Sequence, residues 1–475
     1  MRDGRALAGL IGARQEQGKH MFRRVAIIGG GAAAASLLSE LLERDAPHPL
    51  QLDWFTGAGQ PARGVAYATT SERHLLNVRA ASMGMFAARP HGFLEFVQRD
   101  DPAIAGTDFL PRRRYGDYLE AEVARALQQG MARGHHHVNV VPFEVDALVP
   151  ERDGVTVIHG ERSHRADAAV LALGALPPQP LKGVSAAALD SGRYIVDPWP
   201  WLAQLDAVPP PRTVAVIGLG LTAVDVLLEL SARWPHTAFV ATSRHGLLPE
   251  AHLAHAGTPA GDSAELVDAM RDGPEIRRWM HLLREAIAPH GIEWRTVVDS
   301  LRPHLPDLWG ELPPEQRARF MRHARWAWER ARHRMPPQVH EAIVALEQQG
   351  RLQRRRGRLQ AAEPSGQGLQ LQFRHAGHSE VQHADLAIQT TGLATDVRHS
   401  RHRLVRQLLT NAHVTGDPLG LGLVASRDGR LHHDGQPWPH LFAIGSLLRG
   451  TLWESTAMPE IRQQARNLAD QILAG

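Results

Sequence analysis

Val214-Ala-Val-Ile-Gly-Leu-Gly-Leu-Thr-Ala-Val-Asp225 decides the fold, and it repeats in kind near the start of the chain as Val25-Ala-Ile-Ile-Gly-Gly-Gly-Ala-Ala-Ala34. Each stretch sets a short β-branched run before a Gly-x-Gly-x-x-Ala turn and an Ala/Leu-rich helical pattern after it. One such turn is a weak signal, because glycine-rich turns between apolar runs are common. Two in one chain read as two βαβ nucleotide-binding units. In the first, Gly29 allows the tight turn, Gly31 lets backbone approach a pyrophosphate beyond Gly30, and Ala34 permits close helix–strand contact. Gly218, Gly220 and Ala223 take the same roles in the second, with Thr222 at the helix start. The free N–H groups and dipole of each following helix would face phosphate. The plainer alternative is a buried βα unit with no ligand.

Working outward, the chain has 475 residues, 43% hydrophobic and 22% charged, with a formal net charge of +3. That length accommodates two or three domains with buried cores. The cations are almost all arginine, since lysine occurs only at Lys19 and Lys182. Acidic residues nearly balance them, so dispersed surface charge is expected rather than a nucleic-acid footprint. There is no cysteine, which excludes disulfides, thiolate metal sites, Cys nucleophiles and electron relay through a dithiol pair. No metal site is expected. No apolar run reaches the roughly 18 residues of a membrane span. Residues 1–21 lack the apolar core of a secretory signal and are expected to form a disordered extension, with Met21 as an alternative start. A cytoplasmic protein without membrane or nucleic-acid partners is expected; self-association into a homo-oligomer is allowed but not specified.

Phe22 to Ile28 reads as the first strand, Ser36 to Arg44 as helix and Leu50 to Phe55 as the second strand. An acid should follow that strand and grip a ribose hydroxyl, but Thr56 stands there, 22 positions after Ala34. Asp53 is an odd number of residues away and faces the other side of the strand. Pro111-Arg-Arg-Arg-Tyr-Gly-Asp-Tyr-Leu119 opens an amphipathic helix to about Gln129, with Arg112 pointing inward. A β-meander is expected across Val138 to Ile158. Asp167 to Gly174 is an apolar strand ending in glycine, and Pro177, Pro178 and Pro180 mark a crossover. In the second unit a strand from about Ala238 to Thr242 ends in Ser243-Arg244-His-Gly. Arg244 lies 21 residues after Ala223, where an acid would mark NAD. Arginine there can bind a 2′-phosphate bidentately beside the Ser243 hydroxyl, which favours NADPH.

Residues 264–349 read as an Arg- and Trp-rich helical insertion, broken at Pro303, Pro306 and Pro313-Pro314. Its basic residues are either a salt-bridged exposed face or a wall over the active site. Leu369 to Phe373 and Asp385 to Gly392 read as strands, and Leu441 to Ser446 as a strand and turn. Pro459 and Glu460 open the last helix. The fold class expected is α/β, with two Rossmann-like dinucleotide-binding domains. The boundaries are 22–185 and 393–475 for the first domain and 186–392 for the second, which carries the insertion.

Arg63-Gly64-Val-Ala-Tyr67, His74-Leu-Leu-Asn77-Val, Pro111-Arg112, Gly218 to Asp225, Ser243-Arg244 and Arg449-Gly450 through Arg462 together resemble the bacterial FAD-NAD(P)-binding protein family. Relatives of that family resemble class B flavin monooxygenases, including amino-acid N-hydroxylases. The resemblance implies FAD on the first unit, held at Gly29, Gly30, Gly31, Ala34, Thr56, Val145 and Gly174. It puts Asn77, Met83 and Arg112 near the flavin or ribityl chain, with Asn77 and Arg112 as catalytic candidates. NADPH would lie on Gly218, Gly220, Thr222, Ala223, Ser243 and Arg244, with Gly392 nearby. Gly445, Ser446, Thr456, Ala457, Met458 and Glu460 would face the flavin, where a helix N-terminus stabilises charge on the reduced ring.

Departures from the pattern are Gly445-Ser446 in place of Gly-Asp, Thr390-Thr391-Gly392 in place of Ala-Thr-Gly, and Val196 where ketone oxygenases carry histidine. The reading that follows is an NADPH- and FAD-dependent monooxygenase. Oxygen would form a C4a-hydroperoxide on the flavin, protected in a dry pocket, and oxygenate a small soft nucleophile such as an amine or amino-acid nitrogen. Arg322, Arg332 and Arg334 would bind a substrate carboxylate. A flavin reductase or dehydrogenase that transfers no oxygen, and a non-catalytic flavin-binding regulator, are the alternatives.

Overall fold

The computed structural model describes residues 23–46, 48–134, 136–254, 263–287 and 293–474. Residues 1–21 and Phe22 lie outside them. The first sheet is built on β1 (Arg23–Ile28), in which Val25, Ala26, Ile27 and Ile28 are all buried. A strand apolar at consecutive positions must be covered on both faces, as parallel strands in an α/β layer are. β2 (Leu50–Phe55) pairs parallel with β1, and β3 (His136–Val141) pairs parallel with β2. The antiparallel strands β4 (Ala147–Glu151), β5 (Gly154–His159) and β6 (Arg162–Ala166) form a separate small sheet. β7 (Ala168–Leu171) then returns to the other side of β1.

The second unit repeats this plan. β8 (Tyr194–Ile195), β9 (Thr213–Ile217), β10 (Ala238–Ser243) and β11 (Leu352–Arg356) are followed by an antiparallel meander of β12 (Arg358–Ser365), β13 (Gly368–His375) and β14 (His378–Ala384). β15 (Leu386–Gln389) then inserts between β9 and β8, giving the parallel order β11-β10-β9-β15-β8. The chain goes back to the first sheet through β16 (Arg430–His433) and β17 (Gln436–Ala443), which complete the order β16-β17-β7-β1-β2-β3. Val138 to Val141, read from sequence as the start of a meander, belong instead to parallel β3, and the meander begins at Ala147. The helix after the first glycine turn spans Ala32–Leu42, so it begins at the turn itself rather than at Ser36. The helix after Pro111 runs to Arg133 and ends at Gly134, whose φ of 68° terminates it.

The insertion consists of short helices from Ala264–Arg271 to Pro337–Gln348. Its Trp309 and Leu312 share one apolar cluster with Leu421 and Trp453 of the C-terminal segment. That packing fastens the insertion to the first unit and places one of its faces over the junction between the two sheets. Among the described residues no helix is long and apolar enough to cross a membrane.

Candidate active site between the two glycine turns

The two turns are the same device. Gly29 at φ 131° donates its N–H to the Phe55 carbonyl at 2.9 Å, and Gly218 at φ 121° donates to Thr242 at 2.9 Å. A Cβ on Gly29 would lie 2.2 Å from the Ala172 carbonyl oxygen, and one on Gly218 would lie 2.4 Å from that of Thr390. These glycines are required by the neighbouring strand. Gly31 and Gly220 differ: a Cβ on Gly31 meets only the Gly64 Cα at 3.6 Å, and one on Gly220 meets nothing within 4 Å. Both precede the first turn of a helix with unpaired N–H groups, so each leaves open space where an anion can be cradled.

One cleft of about 1460 Å³ joins the two turns, lined by Gly30 and Gly31 on one side and by Gly218, Gly220 and Thr222 on the other. Thr56, Gly174, Gly392, Gly445, Ser446, Thr456, Ser243, Arg244 and Arg112 also line it. Thr56 directly follows β2, at the place expected for the ribose-gripping acid. Asp53 turns away and meets Arg24 at 3.3 Å and Asn139 at 3.2 Å. The Ser446 hydroxyl donates to the Gly174 carbonyl, tying the C-terminal turn to the end of the β7 strand. Gln464 holds that turn from the last helix, accepting from Gly445 N–H at 2.8 Å and donating to the Ser455 carbonyl at 3.1 Å.

Several expected residues lie elsewhere. Ala34 and Ala223 are buried in helix–strand contacts, while Val145 is core beneath the first sheet. Met83 and Met458 are also core, and Asn77 meets His252 Nε2 through its carbonyl at 3.0 Å outside the lining. Ala457 is half-buried off the lining, and Glu460 is held by Arg302 Nη2 at 2.8 Å. Arg112 does reach the cleft, but its Nη2 is engaged by Asp225 Oδ2 at 2.8 Å and its Nε by the Leu75 carbonyl at 3.1 Å. Asp225 lies on the helix Leu221–Arg233, so this buried ion pair bridges the two nucleotide units. Burial pushes the Asp225 carboxyl above its ordinary range against the pull of Arg112.

Around Ser243 the second unit is cationic. The Ser243 hydroxyl accepts from Gly246 N–H at 3.1 Å, which shapes the turn that carries Arg244. Arg244 is exposed and forms no ion pair among the described residues. His245 is kept below its usual range by burial and by the adjacent Arg244 and Arg356 guanidiniums. Its ring stacks on exposed Trp326 of the insertion at 4.2 Å. Trp326 and Arg356 carried no sequence signal, because only the folded chain brings them beside Arg244.

The insertion wall also differs from expectation. Arg322 is exposed and off the cleft, Arg334 is buried against Asp299, and Arg332 is buried behind Glu454 at 3.9 Å. None of the three lines the cleft. The charges of Arg332 and Arg334 are directed to carboxylates distant in sequence, so a carboxylate-binding row is not formed. Glu454 does line the cleft, and so does His333, whose imidazole is pushed below its usual range mainly by burial. Glu454 follows Trp453, which adopts φ 58° and ψ −62°. With Glu454 N–H bonded to the Leu452 carbonyl at 2.7 Å, this is the rare, strained form of γ-turn. Trp453 is kept there by stacking on Trp309 at 4.8 Å and by the edge contact with Phe320 at 4.9 Å.

Residues 26–176 match the family model described as FAD-NAD(P)-binding. No curated protein sequence matches the chain. Among solved structures the chain is similar to an ornithine N-hydroxylase of Kutzneria sp. 744, with TM-score 0.63 and 18% identity over 95% of this chain and 99% of that one. It is similar to an L-lysine 6-monooxygenase of Pseudomonas syringae, with TM-score 0.61 and 17% identity over 95% and 99%. The FAD-bound cadaverine monooxygenase of desferrioxamine biosynthesis in Erwinia amylovora gives TM-score 0.64 and 12% identity over 96% and 95%. The chain therefore has the α/β fold of flavoproteins with two dinucleotide-binding domains.

Proposed function

We propose that this protein is an FAD- and NADPH-dependent monooxygenase that hydroxylates the nitrogen of a small amine. The observation that carries the reading is the single cleft lined by both glycine turns, which would bring a flavin and a nicotinamide to one place. The open positions over Gly31 and Gly220 fit the pyrophosphates of the two cofactors. Gly29 to Gly31 and the helix Ala32–Leu42 would hold the FAD pyrophosphate, with Thr56 at its ribose. Gly445, Ser446 and Thr456 would lie along the ribityl chain and ring. Gly218, Gly220 and Thr222 would hold the NADPH pyrophosphate, and Arg244 would grip its 2′-phosphate.

Bound FAD would supply hydride acceptance from NADPH and oxygen activation, which is cofactor chemistry rather than side-chain chemistry. The protein's own part is positioning and the exclusion of water. The Arg112–Asp225 pair fixes one unit against the other, which makes Arg112 a positioning residue. Trp199 and Trp453 contribute apolar surface to the cleft lining. The similarity to three amine and amino-acid hydroxylases supports this choice over ketone oxygenation, as does Val196 at the place of the ketone oxygenases' histidine.

The test is to supply FAD-loaded protein with NADPH, ¹⁸O₂ and a panel of primary amines, and to analyse the products by mass spectrometry. A hydroxylamine carrying one ¹⁸O atom is expected, formed in proportion to NADPH consumed. Hydrogen peroxide as the sole oxygen product across the panel would reject the proposal. Substrate turnover that continues without oxygen would assign a reductase instead.

A further inference from the structure

Charge accounting along the cleft wall leaves one carboxylate unclaimed. Arg325 Nε and Arg449 Nη2 both donate to Glu329 Oε1, at 2.9 and 2.7 Å. Arg302 is taken by Glu460, Arg330 by Glu250 and Arg334 by Asp299. Glu454 is 4% exposed and receives only a long hydrogen bond, from Trp328 Nε1 to Oε1 at 3.4 Å. The nearest cation to its Oε2 is Arg332 Nη2 at 3.9 Å, and the buried Arg332 Nε has no hydrogen-bond partner of its own. A buried carboxylate ordinarily collects two or three close donors, because desolvation is otherwise uncompensated. Glu454 instead lines the cleft with acceptor capacity to spare. Arg332 stands behind it, off the lining, where it supports the ionised form without filling the cleft side. Although burial opposes ionisation, the Arg332 guanidinium holds the Glu454 carboxyl below its ordinary range.

We infer that Glu454 is the anchor for a non-reacting ammonium group of the substrate, as at the far end of a diamine, and that the site selects amines by this charge rather than amino acids by their carboxylates. The inference rests on the reading of the cleft as an amine-hydroxylating site and names what that site recognises. Three features agree with it. The strained turn at Trp453 sets the carboxylate at the cleft edge, and a conformation of that cost persists where the surroundings over-determine it. Trp328 occupies only Oε1 of Glu454, through its Nε1–H, and leaves Oε2 without a close donor. No arginine of the trio expected to hold a carboxylate faces the cleft.

The experiment measures binding to FAD-loaded protein by calorimetry, using matched probes on one carbon skeleton. The probes are n-butylamine against butyrate, and 1,5-diaminopentane against glutarate. Wild-type protein should bind the amines and not the acids, and Glu454→Gln should weaken amine binding about tenfold or more. Glu454→Asp should keep measurable amine affinity, and an unchanged flavin absorption spectrum certifies that each variant is folded. Tighter binding of the acids, amine affinities within twofold between wild type and Glu454→Gln, or no amine binding at all would overturn the inference. Amine binding that depends on Glu454 without hydroxylamine formation would instead reject the proposed reaction and leave the anchor standing. Hydroxylation with Glu454-independent affinity would do the reverse.

Discussion

Replacing Arg112 with methionine keeps most of the side-chain length and removes the charge, leaving Asp225 buried without its counter-ion. The two side chains are 16% and 8% exposed and meet at 2.8 Å. A charge-assisted bond of this kind contributes about 1.5–3 kcal/mol, and breaking a buried pair costs about 3–5 kcal/mol because the survivor is stranded. Asp225 has one way out, which is to take up a proton. Its carboxyl already lies above the ordinary value of 3.8 in the fold, and losing Arg112 pushes it further up. A folded-state carboxyl raised in this way favours the folded protein only where it is protonated, and that contribution is lost as pH rises through the folded pKa. The deficit of Arg112→Met should therefore be small near pH 5 and about 3 kcal/mol at pH 8. By calorimetry of the FAD-loaded protein, that is a fall in Tm of about 3 °C at pH 8. Asp225→Asn should cost less, since Arg112 can still reach water in the cleft. The double variant should be more stable than the two single losses imply, by about 2 kcal/mol. A deficit that does not change between pH 5 and 8, or strict additivity in the cycle, would refute the assignment of this pair as a buried clamp.

Two other outcomes test the cofactor cradles. Arg244→Ala should raise KM for NADPH about tenfold or more while leaving KM for NADH nearly unchanged, because a guanidinium–phosphate contact is lost only with the phosphorylated cofactor; equal effects in steady-state kinetics would remove the 2′-phosphate site. Gly31→Ala should fold but copurify with much less FAD, since its Cβ meets the protein only at 3.6 Å, whereas Gly30→Ala, with a Cβ 2.3 Å from the Thr56 carbonyl oxygen, should fail to accumulate as folded protein. Full FAD content in Gly31→Ala, read from the absorption spectrum, would place the pyrophosphate elsewhere.

Backbone requirements were the most readable part of this chain. Gly29 and Gly218 need positive φ and a Cβ-free approach to the next strand, and only glycine supplies both. The consecutive apolar residues of β1 and β9 likewise announce strands covered on both faces. The boundary of the meander was not readable, since a short β-branched run such as Val138 to Val141 serves equally as a parallel edge strand or a hairpin arm. What settles it is distant: the His136 ring accepts from Leu50 N–H at 3.2 Å and fixes β3 beside β2. The arginines of the insertion were misread for the same reason. The roles of Arg332 and Arg334 follow from Glu454 and Asp299, which no periodicity places near them. Resemblance also carried Asn77 and Met83 to the cofactor, whereas the fold sets both outside the cleft lining.

The first sheet is finished by β17, and Leu171 and Gln436 are 265 positions apart in the chain. On a ribosome adding about 5–20 residues each second, that interval lasts roughly 13 to 50 s. Through all of it the apolar edge of β7, whose four residues are buried in the finished protein, has no neighbour on one side. An unpaired apolar strand edge is an invitation to other chains. The second unit can close its own sheet while the first waits, so synthesis rather than the finished fold is the stage at which this protein is most exposed to aggregation. Slowing the emergence of the last 60 or so residues with rare codons should lower its soluble yield more than the same slowing placed within residues 194–389.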